Sequence, residues 1–387
     1  MKFTAEHDQF RKVVRDVVEN EINPYVDDWE DAGIFPAHEL FPKLAAVGAL
    51  GLEYSEEMGG QGADHSFTVV LGEELGRADC AGIPMAIAVQ TSMATPAIAE
   101  FGSTDLQQRY LAPALRGEMV SAIAVSEPDA GSDVAGIRTK AVRDGDSWVI
   151  TGRKMWITNG TQADWLCLLA RTVEPGQELE GGYAGMSLIV VPTNTPGFSV
   201  GRTIEKMGNR SSDTAELVFD EVRVPVGNVI GEAGRGFQQQ MAQFQIERLM
   251  GAYMAVSGAR RAIDRTIDYL RVREAFGKPL LANQVIQYRL AELIADVDVV
   301  REFCYAAADK VVAGEDATRM ATVAKLKAGR LVREVADAAV QYHGGMGYAE
   351  DLWVARYYRD ARLVSVGGGA DEVMLRIITV MEGMGKR

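Results

Sequence analysis

Two stretches of this 387-residue chain, AVSEPDAGSDVAG at 124–136 and RKMWITNG at 153–160, decide how the sequence is interpreted. The first leaves a β-rich run and enters a loop of small and hydroxyl-bearing residues, where a planar or phosphorylated ligand can approach the main chain closely. In the second, Trp156 and Thr158 are two positions apart on a predicted strand and therefore share one face. Together they offer a stacking surface and a hydroxyl to a planar ligand. Taken singly, however, the loop could be a polar turn, and a tryptophan on a β-face is more often part of the core.

The predicted secondary structure changes on both sides of these stretches. Apolar residues recur at helical spacing up to about residue 120 and again from Phe237 onward. Between them lie short β-rich runs bounded by turn residues, at 122–125, 147–151, 165–170, 186–191 and 215–219, with a hairpin signal at Asp144-Gly145-Asp146. The sequence predicts an α+β multidomain fold: a helical N-terminal domain at 1–120, a small central β-barrel or sandwich at 121–232, and a C-terminal helical bundle at 233–387.

Composition excludes several classes of protein. The formal net charge of −14 repels phosphate backbones, and no Lys/Arg-rich stretch interrupts it, which argues against nucleic-acid binding. No Rossmann, P-loop or nucleophile-elbow motif is present, and none of the four histidines is spaced for a metal, so we expect no metal site. Chemistry must then come from carboxylates or from a cofactor. The three cysteines, Cys80, Cys167 and Cys304, lie far apart, and we expect buried thiols in a reducing compartment.

No segment of the sequence predicts a membrane span or a secretion signal. The N-terminus, MKFTAEHDQF, has neither a basic region nor an apolar core, so we expect no signal peptide and a cytoplasmic location. The longest charge-free stretch, residues 81–99, contains two prolines and several polar residues. It is too polar and too broken to cross a membrane, and it predicts a buried helix pair or a helix and loop.

Further motifs in the same order give the chain a family resemblance. After the two stretches come REAFGKP at 273–279 with Gln284 behind it, QYHGGMG at 341–347 and YRDAR at 358–362. The set closely resembles the acyl-CoA dehydrogenase family along nearly the whole chain. The resemblance implies a helical N-terminal domain, a central β domain and a C-terminal four-helix bundle. It also implies FAD as cofactor, desaturation of an acyl-CoA to the trans-2-enoyl-CoA, a homotetramer, and an electron-transfer flavoprotein as electron acceptor.

The resemblance assigns cofactor contacts residue by residue. The loop residues Val125, Ser126, Gly131 and Ser132 would line the flavin site. Trp156 would pack on the isoalloxazine ring, and Thr158 would form a hydrogen bond near flavin N5. The adenosine diphosphate half of FAD, which in the family lies across a subunit boundary, would be held by Arg273, Phe276, Gln284, Gln341 and Gly345. Ala370 and Glu372, beyond the YRDAR motif, are also expected to bind the cofactor.

The catalytic base is where this chain departs from many family members. They carry a glutamate shortly after the YRDAR motif, but here the segment reads VGGGA at 366–370 and places Gly368 at that position. In isovaleryl-, long-chain- and citronellyl-type relatives, the glutamate instead precedes an arginine on the first long helix of the bundle, and this chain has QIERL at 245–249. The resemblance therefore implies that Glu247 takes the α-proton while flavin N5 takes the β-hydride. The Gly368 backbone N–H would donate to the thioester carbonyl, and Arg248 would organise the site.

Helical spacing gives an independent reason to expect a buried Glu247. The residue shares a face with Met250, Gly251 and Met254, so it points toward apolar surroundings. The i+4 position is Gly251, which offers no salt bridge. Burial of the carboxyl should raise its pKa from the ordinary value of about 4.3. Two other functions stay open: a flavin oxidase or monooxygenase on the same fold, and a non-catalytic acyl-CoA- or flavin-binding scaffold, which Gly368 suggests.

Overall fold

The computed structural model describes residues 1–177 and 181–385. Within them, helices α1–α8 and a π-helical turn at Val89–Ala94 form the N-terminal part. The helices are α1 (Ala5–Val17), α2 (Val26–Ala32), α3 (Ala37–Ala46), α4 (His65–Leu75), α5 (Gly82–Ala88), α6 (Pro96–Phe101), α7 (Thr104–Leu106) and α8 (Ala112–Leu115). The stretch 81–99, expected to be a buried helix pair, forms α5, the π-helical turn and the start of α6, and it is largely buried. In the described ranges, no helix is long and apolar enough to cross a membrane.

A curled seven-stranded sheet forms the middle of the chain. Its strands are β1 (Ser121–Ala124), β2 (Lys140–Asp144), β3 (Ser147–Thr158), β4 (Trp165–Val173), β5 (Met186–Pro192), β6 (Phe198–Thr203) and β7 (Thr214–Pro225). The order is β1-β4-β2-β3-β7-β6, and β5 pairs with the other edge of β4. The first half of β4 pairs with β1 and its second half with β2, both in parallel, so the sheet bends around that strand.

The predicted hairpin is confirmed, and one strand of this sheet was missed. Asp144 pairs with Ser147, and Gly145 between them adopts a positive φ of 60°, which a turn of this kind requires. The expected run at 147–151 is the first part of β3, which continues to Thr158 and so includes the tryptophan motif. Strand β6 was not predicted because its residues after Phe198 are exposed, so no buried alternation marks it.

The C-terminal part is dominated by three long helices. The sequence continues through α9 (Gly236–Val272), a small hairpin of β8 (Glu274–Ala275) and β9 (Lys278–Pro279), α10 (Gln284–Val312), α11 (Thr318–His343), α12 (Gly345–Tyr348), α13 (Trp353–Ala361) and α14 (Asp371–Met381). Helices α9, α10 and α11 pack against one another, and α14 packs on α11. Helix α13 also packs on α11, so these C-terminal helices form a helical bundle as predicted.

One hydrophobic core joins the N-terminal helices to this bundle. Leu71 and Leu75 of α4 belong to the same buried cluster as Leu249 and Met250 of α9. The two helices cross closely, because a Cβ at Gly76 would lie 2.4 Å from the backbone oxygen of Met254. The long helix that carries Glu247 is therefore fixed against the N-terminal domain. A separate apolar cluster fills the sheet, and the three cysteines are free and buried, as predicted.

Candidate active site

Glu247 lies in the fourth turn of α9, a helix that is anchored at its start. A Cβ at Gly236 would lie 2.5 Å from the backbone of Ser187 and Leu188, so the helix begins in direct contact with β5. Glu247 is partly buried. Loss of water around its carboxyl raises the pKa to about 7, and this effect outweighs the nearby positive charges of Arg248 and Lys325, which lower the pKa. The expectation of a raised pKa at this glutamate is confirmed.

The carboxyl of Glu247 lies directly beside Gly368. A Cβ built on Gly368 would be 3.1 Å from Oε1 of Glu247, so a longer side chain at 368 would compete with the carboxyl for the same space. Gly368 and Gly369 have positive φ angles of 62° and 97°, which favour glycine. Positions 247 and 368 are the two alternative positions for the catalytic base in the sequence analysis, and the structure places them side by side. The carboxyl of Glu247 occupies the space that a side chain at position 368 would fill.

Arg248 adds a buried positive charge next to this carboxyl. Its side chain is largely buried, and its guanidinium carbon lies 5.7 Å from the ring centre of Phe244. Burial lowers the pKa of Arg248, and the charge of Glu247 opposes that effect. An arginine stays protonated in either case. It therefore supplies a fixed positive field in which the carboxylate form of Glu247 is stabilised.

A buried ion pair fixes the loop at residues 124–136. Lys154 of β3 is 0% exposed, and its Nζ donates to the backbone oxygen of Val125 at 2.8 Å and to Oε1 of Glu127 at 2.9 Å. The backbone N–H of Met155 donates to the oxygen of Ser126 at 2.9 Å. Burial lowers the pKa of Lys154 to about 8, and Glu127 opposes the shift. Val125 and Ser126 are held in this way next to the strand that carries Trp156.

Trp156 faces outward from the sheet. Its side chain is 60% exposed, whereas Ile157 beside it is buried, so the interpretation of this tryptophan as a core residue is wrong. The strand is irregular at this point, because a bulge separates the pairs of Lys154 and Ile157 and Trp156 adopts a positive φ of 65°. A large aromatic ring held in an uncommon backbone conformation and left open is suited to stacking on a planar ligand. Thr158, two residues on, is partly buried.

The far end of the same loop is more open. Gly131 and Ser132 are exposed, and a Cβ at Gly131 would meet no atom within 4 Å. Packing inside this chain therefore does not require glycine at 131. The family resemblance gives a different reason for glycine at this position, namely a ligand that approaches the main chain closely.

The π-helical turn Val89–Ala94 lies between the loop and the helix of Glu247. Oε1 of Gln90 accepts hydrogen bonds from the backbone N–H and the hydroxyl of Ser121, both at 2.7 Å, which ties the turn to the start of β1. The other side of the turn packs against α9. This turn therefore contacts both β1, which leads into Val125 and Ser126, and α9, which carries Glu247.

The residues expected to hold adenosine diphosphate lie at the opposite end of the bundle. Phe276 is fully exposed on the β8–β9 hairpin, and the backbone N–H of Leu280 donates to the oxygen of Arg273 at 2.8 Å. Tyr269 stacks on His343 with ring centres 4.2 Å apart, which brings the end of α9 to the end of α11. The members of this group, Arg273, Phe276, Gln284, Gln341 and Gly345, thus come together. Arg273 follows Glu247 by 26 residues of α9, or about 39 Å at 1.5 Å per residue.

Ala370 and Glu372 lie with the base and not with that distant group. Ala370 precedes α14, two residues after Gly368, and Glu372 is exposed in the first turn of the helix. The sequence interpretation missed three residues that fix the site: Glu127, Lys154 and Lys325. A signal was present for Lys325, because it falls among Ala321, Ala324 and Ala328 on the apolar face of α11.

Comparisons with known proteins place the chain among acyl-CoA dehydrogenases. Family models for the N-terminal, middle and C-terminal domains of acyl-CoA dehydrogenase match residues 4–118, 122–222 and 234–381. The mitochondrial long-chain specific acyl-CoA dehydrogenase of Rattus norvegicus is 36% identical, over 97% of this chain and 86% of the rat protein. The crystal structure of a probable acyl-CoA dehydrogenase from Mycobacterium abscessus has a TM-score of 0.94 and 41% identity, covering 98% and 99% of the two chains. A chain in a structure of the electron transferring flavoprotein of Acidaminococcus fermentans has a TM-score of 0.93 and 31% identity, with 100% of both chains covered.

The Lys154–Glu127 pair yields a stability prediction. Lys154→Met leaves the carboxylate of Glu127 buried without its cationic partner, although the backbone N–H groups of Arg138 and Thr139 still donate to it. We expect a loss of about 3–5 kcal/mol in the free energy of unfolding. Urea unfolding of the variant and the wild-type protein measures this difference. The double variant Lys154→Met/Glu127→Gln removes the orphaned charge and should recover a large part of the loss. Equal midpoints for the wild-type protein and Lys154→Met would show that the pair does not hold the loop.

Proposed function

The chain belongs to the acyl-CoA dehydrogenase family, and we propose that Glu247 is the base that removes the α-proton of its acyl-CoA substrate. As a member of this family, the protein is an FAD-dependent oxidoreductase that desaturates acyl-CoA thioesters. The observation that carries the proposal is the contact between the Glu247 carboxyl and the position of Gly368. In this chain, the space that a base at 368 would use already holds a carboxyl from α9.

The residues of the β domain fit a flavin cofactor. Trp156 offers an open aromatic face, and the ion pair of Lys154 fixes Val125 and Ser126 beside its strand. We infer that these residues, with Thr158, Gly131 and Ser132, hold the flavin half of FAD. FAD, when bound, supplies an acceptor for the hydride that leaves the β-carbon.

Proton removal then depends on three groups of this chain. A carboxyl with a pKa of about 7 is a stronger base than an exposed glutamate, and about half of it is ionised at neutral pH. The backbone N–H of Gly368 would donate to the thioester carbonyl and stabilise the negative charge that develops there as the proton leaves. Arg248 would stabilise the ionised carboxyl before the transfer. The absence of a side chain at Gly368 lets carboxyl and amide occupy the same small region.

The span of α9 supports an active site that is shared between two subunits. Glu247 and Arg273 are about 39 Å apart along the helix, which is longer than an extended FAD molecule. A flavin beside Glu247 cannot place its adenosine on Arg273 and Phe276 of the same chain. We therefore propose that these two residues, with Gln284, Gln341 and Gly345, serve the FAD of a second copy. The exposure of Phe276 agrees with burial in a homo-oligomer, for which we propose the family's tetramer.

The electron acceptor and the compartment are further parts of the proposal. We propose an electron-transfer flavoprotein as the acceptor of electrons from reduced FAD, as the family resemblance implies. A structure described as that of an electron transferring flavoprotein contains a chain with the fold of this protein, which agrees with that proposal. The three buried free thiols support a reducing compartment such as the cytoplasm.

The test of Glu247 is anaerobic bleaching of the flavin across a panel of acyl-CoAs. The wild-type protein should bleach, and Glu247→Gln should bleach at least about a hundredfold more slowly because the amide accepts no proton. The wild-type rate should rise through pH 7 and level above it, since a raised pKa keeps the carboxyl protonated at lower pH. Glu232→Gln, which removes an exposed carboxylate ahead of α9, is the matched control.

Three results would contradict this proposal. Bleaching of Glu247→Gln at the wild-type rate would assign the base to another group. A wild-type protein that binds FAD but is not bleached by any acyl-CoA would favour a non-catalytic scaffold. Rapid production of hydrogen peroxide in air would instead favour an oxidase on the same fold.

Complementation between inactive chains tests the shared site. Chains with Glu247→Gln and chains with Arg273→Ala should each be inactive alone. When they are co-expressed, half of the dimeric units should contain one chain of each kind, and one of the two sites in such a unit is intact. We expect about a quarter of the wild-type activity. No recovered activity in purified mixed oligomers would place both residues in the site of one chain.

A further inference from the structure

Lys325 is a buried ammonium group next to the glycine turn of the active site. It lies on α11, its side chain is 4% exposed, and its Nζ donates a hydrogen bond to the backbone oxygen of Gly369. Its buried neighbours one turn away on the helix are Ala321, Thr322, Ala328 and Gly329, which are all small and uncharged, so packing alone would be served better by an uncharged side chain. Burying a charge without a compensating partner is expensive. We therefore expect the buried ammonium group and its hydrogen bond to Gly369 to have a role in the active site.

The turn that Lys325 holds has little rigidity of its own. Gly368 and Gly369 both adopt positive φ angles, and glycine loses more conformational freedom on folding than any other residue. The turn is followed at once by α14, and a Cβ at Gly369 would lie 2.6 Å from the terminal methyl of Met374. A hydrogen bond from a charged donor is stronger than one between neutral groups. Lys325 thus ties the turn to the long helix α11.

The charges around Lys325 connect the turn to the base. Burial lowers the pKa of Lys325 to about 8, while Asp371, Glu247 and Glu372 raise it and Arg248 lowers it. Oδ2 of Asp371 also lies 3.6 Å from Nε of Arg330 and 3.9 Å from Nη1 of Arg333. The carboxylate of Asp371 therefore interacts with three cations, these two arginines and Lys325. The charged groups that act on Glu247 are Arg248 and Lys325, and both lower the pKa of its carboxyl.

We propose that Lys325 is a positioning residue for the α-proton transfer: it anchors the glycine turn so that the Gly368 amide and the Glu247 carboxyl keep a fixed relation to the thioester. The inference rests on the proposed function, because it assumes that Glu247 is the base. Lys325 is hydrogen-bonded to the turn, so we infer that it acts on the reaction through Gly368 and Glu247. A displacement of about 1 Å between reacting groups can cost about a hundredfold in rate.

The experiment compares Lys325→Met, Lys325→Arg and Lys327→Met in the FAD-loaded protein. Lys327 is exposed and lies two residues farther along the same helix, so it is the matched control for loss of one positive charge. Single-turnover anaerobic bleaching gives the rate at saturating acyl-CoA, the substrate concentration for half-saturation, and the pH at which the rate is half-maximal. FAD content and the thermal midpoint of each variant show whether the fold is kept.

Lys325→Met should lose about tenfold to a hundredfold in the saturated rate with little change in half-saturation. Its half-maximal pH should move upward, because Glu247 loses a positive neighbour. Lys325→Arg should restore the pH midpoint and part of the rate, and Lys327→Met should behave as the wild-type protein does. If Lys325→Met folds poorly, the pH midpoint of Lys325→Gln in its FAD-bound fraction gives the same test.

An unchanged rate and an unchanged pH midpoint in Lys325→Met would overturn the inference. So would a loss of activity that matches the loss of bound FAD with the midpoint unmoved, since that would make the lysine purely structural. Glu247→Gln separates this failure from that of the proposed function. If Glu247→Gln is inactive while Lys325→Met is normal, only the role of Lys325 is wrong; if Glu247→Gln still bleaches, the assignment of the base itself is wrong.

Discussion

The site depends on one contact: a carboxyl from a long helix occupies the space beside a residue that has no side chain. Glu247 reaches Gly368 only because α9 is held at several points, by its start on β5, by its close crossing with α4, and by the core that joins both helical parts of the chain. The same enclosure that fixes the carboxyl also removes water from it and raises its pKa. Position and basicity therefore have one cause, which is the packing of this helix.

The long helix also separates the parts of the cofactor site. Its first turns carry the base, and its last turn leads to Arg273 and the exposed Phe276, at a distance that one FAD molecule does not cover within one chain. Residues that the sequence motifs place in a single cofactor site thus fall into two groups at opposite ends of the bundle. Rigid helices make this arrangement reliable, since the relation between two ends of α9 changes little unless the helix bends.

Much of this could be predicted from local sequence signals. The apolar periodicity predicted the helical parts, the Asp144-Gly145-Asp146 turn predicted its hairpin, and helical spacing predicted that burial raises the pKa of Glu247. What failed were features set by contacts distant in sequence. Strand β6 has no buried alternation, and Lys325 binds a carbonyl 44 residues away. The exposure of Trp156 agrees with the stacking role that the resemblance implies, and only the alternative of a core tryptophan fails. Local sequence patterns do not show that the side chain of Lys325 forms a hydrogen bond with the turn at Gly369.

The most direct measurement of the central claim isolates proton removal from flavin reduction. A 3-thia-acyl-CoA has sulfur in place of the β-carbon, so it can lose an α-proton but cannot donate a β-hydride. In D2O, the FAD-loaded wild-type protein should exchange the α-protons of this analogue for deuterium, as followed by mass spectrometry, whereas Glu247→Gln should leave them in place. Equal exchange by both proteins would contradict the account, because a group other than Glu247 would then be removing the proton.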